Sequence, residues 1–360
     1  MTREYLPRRH GEYGGRTRPR FAENLFLRVR ISVAKVVALA FLASNPNAAR
    51  ATEDVTMAIP TYSLAFAHEY LNEDLGIYQK HGLNVKTVQL DGLATINAVI
   101  SGSVDFGQPS GSSLTRAAAR GQRLLAIALL NDKPSTQVVL RNEILTQAKF
   151  DPKAPLKERA MILKGKTLGV AGVNSVLYTY VLLIAKRAGF TADDMHLGVI
   201  PPPDMYAAFQ KKQIDGFANN VPWTLMPVLA GVATILSSGD QGDLPDLLPF
   251  ASSVVLTRPE TCEKRKPVCA ALGRSFAESA ALMQDEPDRA RAILKKRFPT
   301  LDDKLFNASF AMVRKTFPRV PLPSARAFEN ADRYNVEAGL MKAEEMLASY
   351  DPLFTDEFVK

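Results

Sequence analysis

One pattern constrains this chain more than any other: a short apolar run, a small polar loop, then a helical period, repeated. Thr167-Leu168-Gly169-Val170-Ala171 ends in Gly172-Val173-Asn174-Ser175, and a helical pattern begins at once. His196-Leu197-Gly198-Val199-Ile200 meets Pro201-Pro202-Pro203-Asp204 and a second helical pattern. Ile214-Asp215-Gly216-Phe217-Ala218 then ends in Asn219-Asn220-Val221-Pro222-Trp223. Strands that alternate with helices specify a parallel sheet, and such sheets take ligands just beyond the carboxyl ends of their strands. Small, polar and aromatic residues occupy those ends here, while catalytic residue types are scarce. That combination points to binding rather than catalysis.

The same grammar runs through the first half. Val55–Ile59 reads as a strand and is followed by Pro60-Thr61-Tyr62-Ser63. Leu83–Leu90 alternates as a strand, Leu93–Ile100 is helical, and Val104–Gly107 is the next strand, ending in Gln108-Pro109-Ser110-Gly111-Ser112-Ser113. Leu124–Leu130 closes this unit and Thr136–Leu140 opens the next. Asn142–Leu163 is charged and contains proline, so a surface loop is expected there. Gly239–Pro249, rich in Gly, Asp and Pro, suits a connection between lobes. Ala251–Thr257 is a strand signal, and from Glu260 onward the apolar spacing is helical.

Composition matters mainly through its distribution. The net charge of +8 invites a nucleic-acid partner, yet residues 1–51 hold nine Arg and Lys35 against three acidic side chains, leaving 35 basic and 34 acidic residues in 52–360. A nearly neutral body has no global field to hold a polyanion, so no nucleic-acid partner is expected. Residues 1–51 read as a secretory signal: Arg28 and Arg30 precede the apolar Ile31–Ala43, and Ala49-Arg50-Ala51 supplies a cleavage pattern, predicting a mature start at Thr52. A basic tail followed by a short buried helix is the alternative. Cys262 and Cys269 fall in the mature part. In an oxidising compartment a local disulfide is one reading. On a continuous helix, however, their spacing gives about 10 Å of rise, too far to bridge, and two unpaired cysteines packed as small apolar residues is the other. Both stay open.

Several motifs in order carry a resemblance: a strand followed by a Tyr/Ser turn, Gly92-Leu93-Ala94-Thr95 entering a helix, and Gly102-Ser103-Val104-Asp105-Phe106-Gly107. Leu163–Val170 and Lys212-Gln213-Ile214-Asp215-Gly216-Phe217 follow. Over roughly Val55–Pro259 the chain resembles the periplasmic substrate-binding proteins of ABC importers, in the nitrate/sulfonate/taurine-type branch related to thiamine-precursor binders. The resemblance implies an α/β, two-lobed periplasmic-binding-protein (type II) fold, each lobe a mainly parallel sheet flanked by helices, with two hinge crossings. It assigns 52–134 plus 256–360 to lobe one and 135–255 to lobe two. It further implies a monomer in the periplasm that delivers a small-molecule ligand to an ABC permease in the inner membrane. A small organic anion, sulfonate- or carboxylate-like, is the expected ligand, and a neutral pyrimidine-like thiamine precursor is the alternative. One relative in the wider group is an enzyme that makes a thiamine pyrimidine and carries a cysteine–histidine cluster. The four scattered histidines here form no such cluster, so no catalysis, cofactor or metal is expected.

The candidate ligand residues all follow strands. Tyr62 and Ser63 follow the first, with Ser63 also suited to cap a helix. Ser110, Ser112 and Ser113 follow another; one is an N-cap, and at least one more is expected to face the cleft. Asn174 and Ser175 begin a long helix whose N-terminus suits an anion. Tyr178, one turn in, fits either core or ligand. Asn219, Asn220 and Trp223 end a strand, and Trp223, the sole tryptophan, is read as stacking on the ligand, with burial in the core as the alternative. Asp204 is expected to cap a helix over Met205–Gln213. Asp105 and Asp215 are read as structural carboxylates in opposite lobes. Arg116, Arg120 and Arg123 are read as a solvated basic face.

Overall fold

The computed structural model describes residues 52–90, 93–173 and 175–360, so the expected signal segment and the motif glycine Gly92 lie outside the described residues. The chain first lays down β1 (Glu53–Ile59), α1 (Ala67–Asp74), α2 (Ile77–Lys80), β2 (Leu83–Gln89), α3 (Leu93–Ser101), β3 (Phe106–Gly107), α4 (Gly111–Ala119) and β4 (Leu125–Asn131). It continues with β5 (Gln137–Arg141), α5 (Asn142–Gln147), α6 (Leu156–Ala160), β6 (Thr167–Val170), α7 (Val176–Ala188), β7 (His196–Val199), α8 (Pro202–Gln210), β8 (Gly216–Asn219), α9 (Leu225–Leu229) and β9 (Ala233–Ser238). It ends with β10 (Ser253–Thr257), α10 (Pro259–Lys264), α11 (Lys266–Asp285), α12 (Pro287–Arg297), α13 (Asp303–Arg314) and α14 (Ala325–Glu337). None of the described helices is long and apolar enough to cross a membrane.

Two five-stranded sheets result, ordered β2-β1-β3-β10-β4 and β7-β6-β8-β5-β9. In each, one strand runs antiparallel to its neighbours: β10 in the first, β5 in the second. The sheets are the α/β units that the sequence pattern predicts and the two lobes that the resemblance implies. Apolar strand residues pack both faces of the first sheet: Met57, Leu83 and Phe106 meet Leu272 and Phe276 of α11, and Ala58 meets Ile96 and Val99 of α3. Asp105 and Asp215 hold equivalent places. One carboxylate accepts from the Thr56 N–H at 2.8 Å, the other from the Thr167 N–H at 2.8 Å, each pinning the strand ahead of a sheet's central strand.

Three expectations need correction. The segment 142–163 is not an open loop: α5 and α6 form within it, with Leu145, Ala160 and Leu163 buried. The lobe boundary at 255/256 falls inside β10, which pairs throughout with the first sheet, so the return crossing ends before Ser253. Asp204 is not a cap, because α8 starts at Pro202 with Pro201 as its N-cap; the proline at the first helical position needs no N–H partner, and Asp204 lies in the first turn.

The two cysteines are bonded, with Cα atoms 5.6 Å apart. A continuous helix forbids this, but the helix breaks between them: Arg265, at φ −125° and ψ 46°, ends α10 and starts α11, which folds the cysteines together. In lobe one, burial also acts on two neighbouring titratable groups of α1. The His68 ring lies 4.3 Å from Phe317 and its pKa is pushed down to about 4 by burial. Glu69, fully buried, accepts from Tyr78 Oη at 2.7 Å, Thr87 Oγ1 at 2.7 Å and Gln108 Nε2 at 2.6 Å, yet burial still raises its pKa to about 7.

Replacing Cys262 and Cys269 together by serine is expected to lower unfolding free energy by about 2 kcal/mol, because a short loop is released; urea melts with and without reductant measure it. The two α1 groups oppose each other in pH. The unfolded chain protonates His68 below 6.5 while the folded one waits until about 4, so this term makes stability rise with pH across that window. Folded Glu69 keeps its proton up to about 7 while the unfolded chain loses it near 4.5, so stability falls as pH rises between those values. Between about pH 4.5 and 6.5 the two contributions oppose each other, so Glu69→Gln is expected to steepen the rise of stability with pH relative to wild type, by on the order of 3 kcal/mol, in denaturant melts across acid pH.

Candidate functional site

The crossings define the site. The chain leaves the first sheet at Asn131, the last residue of β4, and enters the second at Gln137, opposite Asn219 at the end of β8. It leaves again at Ser238, also opposite Gln137, and re-enters at Ser253, opposite Asn131. Since β4 is parallel to β3 and β9 to β8, both crossings join the carboxyl edges of the two sheets. The ends of β1, β3, β6 and β8 therefore confront one another across one boundary. On one flank α9 of lobe two packs on α13, and Val221 and Leu225 join the lobe-one apolar cluster. On another, α14 packs on both α4 and α7.

In lobe one, Ser63 is buried and caps the turn Leu64–Phe66 through the Ala65 N–H. Tyr62 is 48% exposed, but its hydroxyl donates to the Arg297 carbonyl at 2.9 Å and its ring lies against Tyr70 and Phe298. The hydroxyl is thus already spent, and the ring alone is open. Ser110 caps α4, accepting from the Ser113 N–H at 3.2 Å, and its Oγ lies 3.1 Å from that of Ser112 and 3.0 Å from that of Ser113. Gly111 has to be glycine: its N–H donates to the Ala251 carbonyl at 2.9 Å, and a Cβ there would sit 2.3 Å from Ala251 Cβ. The start of α4 is thereby pressed against the return crossing.

Arg116 overturns the expected solvated face. It is 7% exposed, its guanidinium donates to Ser113 Oγ at 3.3 Å and to Asn335 Oδ1, and burial, with Arg120 beside it, lowers its pKa. A cation therefore stands directly behind the serine turn. Sequence spacing gave no sign of it, because its amide partner is contributed from α14.

In lobe two, Ser175 caps α7, accepting from the Tyr178 N–H at 3.1 Å and donating to the Gly172 carbonyl at 2.8 Å. Asn174 lies outside the described residues. The Tyr178 ring is half-buried and packs on the core. Asn219 is buried; its Oδ1 accepts from the Asn220 N–H at 2.8 Å. Trp223 is partly buried against the Met205, Phe209 and Phe217 cluster.

Among the described residues, half of the ten whose buried side-chain polar atoms lack a partner stand at this edge: Gln108, Asn131, Thr136, Asn220 and Ser253. Each such atom costs roughly 1–3 kcal/mol unless something supplies the missing bond. The polarity of two is fixed. Gln108 commits its nitrogen to Glu69, and Asn131 donates to Thr316 Oγ1 at 2.9 Å, a hydroxyl that itself donates to the Val313 carbonyl; both therefore offer oxygen. These residues were missed from sequence, where the only hint is polar types ending apolar strands. Two surface grooves, of about 410 and 310 Å³, are lined by none of these residues. Among the described residues no group of three or more His, Cys, Asp or Glu could hold a metal ion.

The model of the family described as NMT1/THI5 like matches residues 63–290. A protein of Escherichia coli K12 named for aliphatic sulfonate binding is 25% identical over 201 residues, 56% of this chain and 58% of that relative. Among solved structures, the alkanesulfonate-binding protein SsuA of Xanthomonas axonopodis pv. citri, bound to MOPS, has a TM-score of 0.64 at 17% identity, covering 83% of this chain and 97% of that one. The periplasmic nitrate-binding protein NrtA of Synechocystis PCC 6803 has a TM-score of 0.60 at 14% identity, covering 85% and 87%. These likenesses establish the periplasmic-binding-protein fold, and the family match covers more than half of the sequence. The chain belongs to the NMT1/THI5-like family.

Proposed function

We propose that this chain is an extracytoplasmic solute-binding protein that captures a small organic anion between its two lobes and delivers it to an ABC permease. One observation carries the reading: the Ser-capped N-termini of α4 and α7, from different lobes, both start at the carboxyl edges that the crossings join, where buried polar atoms lack partners. Helix N-termini present unpaired N–H groups and partial positive charge, and Arg116 adds a full charge behind α4. The sulfonate and nitrate named for the relatives agree with such a site. Ser110, Ser112, Ser113 and Ser175 would face the anionic group; Tyr62, Tyr178, Asn219, Asn220 and Trp223 would flank the rest, with Ser63 shaping the turn. In this reading the protein is a monomer without catalytic role, exported to the periplasm by residues 1–51 and cleaved after Ala51. Its lobes, 52–131 with 253–360 and 137–238, close around the ligand because only the shut state touches it from both sides.

A second reading, a neutral pyrimidine-like ligand, is favoured by the amide oxygens of Gln108 and Asn131, which suit ring N–H or amino donors.

Thermal shift and Trp223 fluorescence with ethanesulfonate, taurine, nitrate and a 4-aminopyrimidine separate the two. An anion at a hundredfold excess over its Kd is expected to add about 2.7 kcal/mol to unfolding free energy; a response to the aminopyrimidine alone would falsify the anion reading. Arg116→Gln is expected to weaken ethanesulfonate binding about tenfold and flatten its salt dependence. Unchanged affinity in calorimetry would remove Arg116 from the site.

A further inference from the structure

The last helix, α14, lies beyond the 63–290 segment that matches the family, and two adjacent residues on it reach different lobes. Neighbouring residues on a helix point about 100° apart, so one turn can serve two partners. Asn335 turns to lobe one: its Nδ2 donates to the Ser112 carbonyl at 2.8 Å and to Thr115 Oγ1 at 3.2 Å, and its Oδ1 accepts from Arg116. Tyr334 turns to lobe two: its hydroxyl donates to the Val176 carbonyl, at the first residue of α7, at 2.7 Å, while its ring packs on Phe250 at 5.0 Å. Both residues are fully buried.

From this we infer that Tyr334 is a positioning residue that sets the spacing of the two helix N-termini at the ligand site, its bond to Val176 forming only when the lobes are closed. Asn335 spends its amide on α4 through several bonds, so α14 travels with lobe one. Of the ties to α7, this hydroxyl bond is the one at the N-terminal end of that helix; at its far end Lys186 Nζ donates to the Val336 carbonyl at 3.4 Å. When the lobes swing apart, the Tyr334 bond is the tie at the head of α7 that breaks. Further out, Arg187 of α7 meets Glu337 at 2.7 Å, a solvent-reachable pair that reinforces the same flank. Tyr334 touches the ligand in no part of this scheme. It acts through α7, by holding Ser175 at the distance from Ser110 and Ser112 that an anion bridges.

Tyr334→Phe tests this cleanly, because the ring packing stays and the Val176 carbonyl keeps its place at the head of α7. Loss of one hydrogen bond made only in the closed state is expected to weaken ethanesulfonate binding roughly fivefold, mostly through faster release. Without ligand, small-angle scattering is expected to show a larger radius of gyration than wild type, returning to the wild-type value at saturating ethanesulfonate. Equal affinity and equal scattering in the two proteins overturn the inference, and so does a variant whose only change is a lower Tm. The affinity arm rests on the anion reading above; the ligand-free scattering arm does not. If wild type binds none of the anions, that reading fails, while the scattering comparison still decides the role of Tyr334.

Discussion

Each sheet takes its single antiparallel strand from just beyond a crossing, and the rest of the molecule follows from that. β5 enters the second sheet at the end of β8, and β10 enters the first beside the end of β4. An antiparallel strand begins where its parallel neighbours finish, so the chain can pass between lobes only along the carboxyl edges. Two such passages force those edges to face each other. The helices that follow β3 and β6 must then start at the shared boundary, bringing their N-terminal N–H groups and dipoles with them. The site is thus a consequence of topology before it is a matter of any side chain.

What side chains add is charge without exposure. Among the described residues, no lysine or arginine ends a strand at this boundary. Arg116 instead sits one turn inside α4, behind Ser113, where burial makes each of its contacts stronger than the same contact in water. A guanidinium at the mouth would attract any anion and hold a shell of water; one behind a serine turn adds potential while the hydroxyls and N–H groups set the fit. Gly111, with no room for a Cβ against Ala251, lets the turn approach the return crossing closely enough for this arrangement.

Much of the scaffold was legible. The runs Thr167–Ala171, His196–Ile200 and Ile214–Ala218 became β6, β7 and β8, and Ser63, Ser110 and Ser175 cap the helices they were placed before. Local signals sufficed there because strand period and capping chemistry act over a few residues. The misses share a cause, which is distance along the chain. Arg116, grouped with Arg120 and Arg123, looks like a surface stripe until Asn335, 219 residues away, is folded over it. The helices within 142–163 carry charge and proline, and it is contact with lobe two that orders them. The cysteine spacing was ambiguous because the break at Arg265 decides it, and Pro267 is its sole nearby marker. Gln108 and Asn131 were overlooked because nothing in the sequence says which amide nitrogen is already committed.

In the proposed function, those two amides also bear on how the lobes would open and close. Closing the lobes over Gln108, Asn131, Thr136, Asn220 and Ser253 strips water from groups that find no partner in the protein, which disfavours closure. The apolar contact of Val221 and Leu225 with lobe one, and the Tyr334 bond to Val176, pull the other way. In the proposed reading, the balance of these opposed contributions sets how far the empty protein favours either state. A ligand that supplies the missing hydrogen bonds would remove the first contribution and leave the second, biasing the population towards the closed state. A fully satisfied cleft floor would shut without a ligand, and one lacking the α14 tie would close only at higher ligand concentration.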